Sequence, residues 1–378
     1  MTGKMQARDE RIPILRPRLP DADALLGYLR RIDAARQYTN WGPLALEFEA
    51  RIAAMLGCDA DAVISAGSGT AALVGAMLAT AGRPPAAAAA IVPAFTFVAT
   101  ALAAEQAGYR PRLVDVAPAS WALEPERLEP GTAVPGDLVV PVAPFGRAVA
   151  QDGWSTFRHS TGHHVVIDGG ASFEALTENP GRFVGDIPVA LSFHTTKSFS
   201  AAEGGCVVTT DRALARRVRE ALNFGFFDAR NCVRASTNGK LSEYHAAVGL
   251  ASADAWAATH ADLRRVAEEY ARRMRAAGHG ARMQVMPAVA GCYALYACVD
   301  AAEASALVRS LTGAAIETRA WYGEGLHRHT WYASRSHGPL PVTEDLATRL
   351  VALPVAPDLD DAAIDRIVAA VAQGAAVR

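Results

Sequence analysis

The chain of 378 residues is long enough for two domains, or for one large domain with an appendage. Its 51% hydrophobic and 20% charged residues are those of an ordinary folded protein, and a net charge of −2 gives no reason to expect nucleic acid or an anionic membrane as partner. No apolar run approaches the ~20 residues that span a bilayer, and the charged, proline-rich start MTGKMQARDERIPILRPRLP does not read as a secretory signal. Cys58, Cys206, Cys232, Cys292 and Cys298 are odd in number and lack CxxC spacing, so neither a disulfide framework nor a zinc site is supported. A cytoplasmic, reducing compartment is expected.

Residues 21–56 carry two helical patterns, around Leu25-Leu26-Tyr28-Leu29 and Leu46-Phe48-Ile52-Met55, separated by the turn-prone Asn40-Trp41-Gly42-Pro43. A first strand, Ala62-Val63-Ile64-Ser65, runs into Ala66-Gly67-Ser68-Gly69-Thr70-Ala71-Ala72-Leu73 and an apolar helix. Glycines at such a turn let backbone amides approach a phosphate, and the helix N-terminus adds favourable partial charge. The spacing also fits a dinucleotide fingerprint, which expects an acid about 20 residues further on for the ribose. Between Asp61 and Glu105 there is no Asp or Glu. A single phosphate, held by the amides of Gly69, Thr70 and Ala71 and by the Thr70 hydroxyl, is the better reading.

The alanine run 86–90 reads as a loop or helix end, and the strand Ala90-Ile91-Val92-Pro93 leads to Phe97, an aromatic placed to stack on a planar ring. Further strands are expected at Arg112–Asp115, Leu138–Pro141, Val165–Ile167 and Cys206–Thr209. Alternating with helices from about 62 to 235, they indicate a mostly parallel sheet covered on both faces. The stretch 144–162 reads as a loop at the entrance. Val165–Ile167 ends in Asp168-Gly169-Gly170, and Ser192-Phe193-His194-Thr195-Thr196-Lys197-Ser198-Phe199-Ser200 sets one lysine among small, aromatic and hydroxyl-bearing neighbours. A long helix is expected over 242–277. Tyr293–Val299, a helix near 301–311, a strand over Ile316–Trp321 and a final helix then make a second, smaller α/β unit. His327 and His329 form a bare His-x-His with no further ligands nearby, so no metal is expected.

An ordinary lysine, with a pKa near ~10.4, is protonated and cannot attack an aldehyde. An apolar pocket disfavours the ammonium form and frees the amine. Pyridoxal 5′-phosphate (PLP) needs such an amine, together with a buried carboxylate that keeps its ring nitrogen protonated. Lys197 and Asp168 are assigned these two catalytic roles.

With the phosphate loop, the Pro93–Thr100 segment and Glu203-Gly204-Gly205 behind the lysine, the chain resembles the PLP-dependent sugar aminotransferases of the DegT/StrS group from about Asn40 to Pro357. The resemblance implies PLP fold type I, the aspartate aminotransferase fold, with a mostly parallel seven-stranded sheet flanked by helices. A large PLP-binding domain would cover 20–250 and a small C-terminal α/β domain 251–378. It implies that Ser192 contacts the cofactor phosphate and that Asn238, in Asn238-Gly239-Lys240-Leu241-Ser242-Glu243, reaches the neighbouring subunit's cofactor in a homodimer with shared sites. It places His327 near the sugar substrate, while Lys240 and Arg234 are candidates for the donor carboxylate. Two departures are Ala171, where members carry Gln or His, and Asn223-Phe224-Gly225, where they carry Asn-His-Gly.

The activity implied is transfer of an amino group from glutamate or glutamine to a nucleotide-linked ketosugar or related cyclic ketone. A lyase or dehydratase on the same scaffold is the alternative. Lys197 argues against the related sugar dehydratases, which replace the lysine by histidine. A non-catalytic regulator would normally bring a DNA-binding extension, and the short N-terminus supplies none.

Overall fold

Alternate residues of a strand point to opposite faces of its sheet, so runs that are apolar at every position must be covered on both sides. The computed structural model describes residues 11–84, 88–128, 131–134, 136–284, 291–335 and 337–376. The first ten residues of the N-terminal segment, and Ala86 and Ala87 of the alanine run, lie outside the described residues.

Helices α1 (Ala22–Ala35) and α2 (Pro43–Met55) precede β1 (Val63–Ala66), α3 (Gly69–Ala81) and β2 (Ala89–Pro93). Then come α4 (Ala99–Ala107), β3 (Arg110–Val114), β4 (Leu138–Val139), α5 (Gln151–Thr161), β5 (His164–Val165) and β6 (Ile167–Asp168). Helix α6 (Phe173–Glu178) leads to β7 (Val189–Ser192), β8 (Gly205–Val208), α7 (Arg212–Leu222) and the 34-residue α8 (Glu243–Ala276). The chain ends with β9 (Ala294–Ala297), α9 (Ala301–Gly313), α10 (Pro341–Arg349), β10 (Leu350–Leu353) and α11 (Asp361–Ala375).

Two ladders, β3-β2-β4-β5 and β6-β7-β8-β1, share the extended segment His164–Asp168. The Val166 N–H donates to Val139 on one side and the Ile167 N–H to Pro188 on the other, which joins the ladders into seven strands. The pairing is parallel except around β8, which runs antiparallel to both β7 and β1. Ile64, Val92, Leu138, Val140 and Val207 face a core built with α3, α4 and α7, while Val63, Ile91, Val139, Ile167 and Val208 face one built with α2 and the start of α8. Period two with both faces apolar is thus the rule that makes the sheet. Further along α8, Val266, Tyr270 and Met274 enter a third core with the antiparallel β9–β10 pair, α9 and α11.

Three details depart from the sequence reading. Strand β7 forms at Val189–Ser192, a short run hidden beside the lysine motif. The stretch 144–162 contains a helix, α5, whose apolar face is little more than Trp154 and Phe157 in an otherwise polar segment. The strand expected over Ile316–Trp321 is reduced to isolated bridges, Ile12 with Ile316 and Arg319 with Ala352, so the stretch pairs with two different segments and builds no continuous ladder with either. Among the described residues no helix is long and apolar enough to cross a membrane.

A buried carboxylate ties α2 to α8. Glu243 accepts from the backbone N–H of Leu44 at 2.8 Å and of Ala45 at 2.9 Å, satisfying two donors that a helix start leaves without partners. Gly42 is required beside it, since a Cβ there would lie 2.7 Å from Glu243 Cδ. Replacement of Glu243 by Ala strands both buried amides and is expected to lower the unfolding free energy by about 2–4 kcal/mol, with Glu243→Gln recovering part of the loss. Urea unfolding of the three proteins checks this.

Candidate active site

The parallel strands all end on one side, and there the loops enclose a cavity of about 430 Å³. Its lining comes from the residues after β1 (Ser68, Gly69, Thr70), after β2 (Thr96, Phe97), the ends of β6 and β7 (Asp168, Ser192) and the loop carrying Lys197. A crevice at the carboxyl ends of strands is where an open α/β sheet binds ligands.

Lys197 is brought there by the turn between β7 and β8. The antiparallel register Ser192↔Gly205 closes the hairpin, and the Phe193 and Thr195 amides donate across it to Gly204 at 2.9 Å and Ala202 at 2.8 Å. Phe193 and Phe199, on either side of the lysine, are buried with ring centroids 5.3 Å apart and pack on Phe48 and Phe173. Pinned at both flanks, Lys197 enters the cavity and its Nζ donates to Tyr293 Oη at 3.0 Å. Burial holds the Tyr293 phenol well above its ordinary range, so this partner stays neutral. Burial also pushes the adjoining Cys292 thiol up to about 11, which keeps it protonated.

Asp168 is buried at the end of β6. Thr100 Oγ1 donates to its Oδ2 at 2.6 Å and the Gly170 N–H to its Oδ1 at 3.0 Å, so both oxygens are held in place. Burial raises its pKa, while Thr100, the Gly170 amide and the charge of Lys197 act in the opposite direction. A carboxylate kept dry but oriented is suited to hold a proton on a ring nitrogen. Glu174, fully buried on α6, is pushed up to about 7 by burial, against the pull of Ser198 and Lys197.

At the other end, Ser68 caps α3 by accepting from the Ala71 N–H at 3.0 Å. The cap occupies the Ala71 amide, the third of the amides expected to meet a phosphate. Of the three amides expected there, Gly69 and Thr70 line the cavity together with the Ser192 side chain. A Cβ on Gly69 would lie 2.6 Å from Ser192 Cβ, and one on Gly205 would lie 2.8 Å from Gly69 N. The cradle therefore closes only with glycine at both positions. Amides at the start of a 13-residue helix, with serine and threonine hydroxyls around them, are the donor set an anionic phosphate needs. With Lys197 and Asp168 in the same cavity, the residues fit PLP.

Phe97 lines the cavity and is 59% exposed. The structure leaves other expected residues outside. Asn238 is exposed and its Oδ1 accepts from Lys240 Nζ at 2.6 Å, while Lys240 lies over the Phe224 ring. Arg234 is ion-paired to buried Glu220. His327 is buried against His337 and Glu344 rather than in the cavity, because Gly325, at φ 90°, turns the chain and the Leu326 N–H is fixed on Ala94 O at 2.8 Å. The sequence reading missed Tyr293, Arg319, Trp321 and Tyr322, which line the wall opposite the sheet. Their signal was a cluster of aromatics at strand edges, which core packing produces equally well.

Residues 21–372 match the sequence pattern of the DegT/DnrJ/EryC1/StrS aminotransferase family. The chain is similar to protein Rv3402c of Mycobacterium tuberculosis, with 32% identity over 97% of this chain and 91% of the relative. It is 28% identical to the UDP-2-acetamido-2-deoxy-3-oxo-D-glucuronate aminotransferase of Pseudomonas aeruginosa, over 87% of this chain and 90% of that enzyme. Among solved structures, DesI in the presence of its TDP-sugar product superposes with a TM-score of 0.85 and 30% identity, covering 97% of this chain and 94% of DesI.

The buried carboxyls give the site a pH signature. A folded-state pKa near 7 for Glu174 means that the native protein binds more protons than the unfolded chain between the ordinary carboxylate range and about 7. Stability therefore falls as pH rises through that window and levels off above it. Glu174→Gln removes this titration, so its stability relative to wild type is expected to improve by about 2 kcal/mol between pH 5 and pH 8. Urea midpoints at the two pH values check this, and an unchanged difference contradicts it.

Proposed function

This chain belongs to the DegT/DnrJ/EryC1/StrS aminotransferase family, and from that membership we propose that it moves an amino group from glutamate or glutamine to the keto group of a nucleotide-linked ketosugar or related cyclic ketone, with PLP as cofactor. The observation that carries the proposal is one cavity walled by a lysine amine, a buried carboxylate and a helix N-terminus. The sugar acceptor rests on relatives: DesI was crystallised with a TDP-sugar product, and the Pseudomonas enzyme is named for a UDP-sugar.

When bound, PLP supplies an aldehyde that captures amines and a protonated ring that withdraws electrons from the substrate carbon. Lys197 is the residue that anchors it covalently. Gly69 and Thr70 amides with the Thr70 and Ser192 hydroxyls hold the phosphate, Asp168 keeps the ring-nitrogen proton and Phe97 covers a ring face. Once its amine is free, Lys197 would take the proton from the donor α-carbon as general base and, as general acid, deliver it to the exocyclic carbon of the cofactor. Tyr293 orients that amine by accepting its hydrogen bond, and Thr100 keeps Asp168 aligned.

The chain is read as a large PLP-binding unit, 20–250, and a smaller one, 251–378. Asn238, exposed and outside its own cavity, is read as serving a second copy in a cytoplasmic homodimer with shared sites. Lys240, partly exposed beside Asn238, is read as facing that copy, whereas His327, buried against His337 and Glu344, takes no part in the site proposed here.

The test is spectroscopic. The protein loaded with PLP and treated with glutamate or glutamine should lose its aldehyde absorbance, and nucleotide-linked ketosugars should restore it where simple ketones do not. Restoration by no ketosugar would overturn the acceptor assignment.

A further inference from the structure

We infer that Arg319 is the residue that binds the carboxylate of the amino donor. The inference rests on the proposed amino transfer and names the group that holds its first substrate. Neither Lys240 nor Arg234 reaches the cavity, so the donor's negative charge has no partner among the residues the sequence offered. Arg319 does line it.

The charged groups that share the cavity wall are otherwise engaged. Asp168 is held by Thr100 and Gly170, and Glu203 lies 3.5 Å from His194. Lys197 is committed to Tyr293 and to the cofactor. Among the described residues, no carboxylate oxygen lies within 4.0 Å of the Arg319 guanidinium. What positions it instead is aromatic. Its Cζ sits 4.9 Å over the Trp321 ring, Trp321 packs edge-on against Tyr293 with centroids 5.3 Å apart, and Tyr293 is the hydroxyl that receives Lys197. The backbone of Arg319 is fixed in turn by the Ala352 N–H, which donates to its carbonyl at 3.3 Å.

A guanidinium stacked on an indole keeps its edge free. That edge presents paired N–H donors in a planar fork that matches a carboxylate with two parallel hydrogen bonds. The same aromatic chain links the fork to the amine that must receive the donor's proton. Glutamate and glutamine share the α-carboxylate, so one arginine serves either. A diphosphate on the acceptor is also an anion, and the experiment separates the two.

The full-length holoenzyme and its Arg319→Gln and Arg319→Lys variants are titrated with whichever of L-glutamate or L-glutamine saturates the wild-type spectral change. Uridine diphosphate and thymidine diphosphate binding are measured alongside. Loss of a charge-assisted bidentate pair is expected to raise the half-saturating amino acid concentration at least about tenfold in Arg319→Gln, with Arg319→Lys intermediate. The diphosphate affinities should stay within about twofold of wild type, and the borohydride-reducible chromophore should persist as the sign of a folded, loaded site. An amino acid dependence equal to wild type overturns the inference, as does a loss confined to the diphosphates, which would give Arg319 to the acceptor. A wild type that responds to no amino acid would instead refute the proposed function, and the inference with it.

Discussion

The site depends on how a reversed strand carries one amine over the ends of the others. Strand β7 runs toward the cavity with its parallel neighbours, and β8 returns antiparallel, so the turn between them must cross the carboxyl edge of the sheet. Phe193 and Phe199 sink into the aromatic cluster of Phe48 and Phe173, while Lys197, with His194, Thr196 and Glu203 of the same turn, faces the cavity. Each such aromatic contact contributes roughly 0.5–1.5 kcal/mol beyond its buried area. The hairpin is therefore stiff where the chemistry needs a fixed nitrogen.

The second constraint is electrostatic. Asp168 and Glu174 are both buried, and burial raises the pKa of each. They differ in their surroundings. Asp168 has a hydroxyl and a backbone amide on its two oxygens and is oriented toward one task, while Glu174 is poised near neutrality beneath the lysine loop. Keeping such groups dry works against the stability of the protein without its cofactor, a recurrent compromise in enzymes. The glycine pair 69 and 205 sets a further limit, because the helix start and Ser192 can approach only where no Cβ intervenes.

Much of this was legible in the chain. The doubly covered sheet follows from runs apolar at every position, and Asp168 and Lys197 stood out because one ends an apolar strand and the other is a single cation among small residues. The Gly69–Thr70 loop was legible from its glycines, but the capping role of Ser68, which consumes the Ala71 amide, depends on a side-chain rotamer that no spacing reveals. The wall of Tyr293, Arg319, Trp321 and Tyr322 was not legible, since it assembles from segments about 30 residues apart that meet only through the β9–β10 pair and its neighbours. His327 illustrates the opposite case: a conspicuous motif that the turn at Gly325 directs into the protein rather than into the cavity.

The chain has three lysines, Lys4, Lys197 and Lys240, which makes the central claim open to a direct chemical reading. The protein reconstituted with PLP, reduced with borohydride and digested should yield one pyridoxyl-labelled peptide, with the label on Lys197. A label on Lys240 or Lys4, or no stable label at all, would contradict the account.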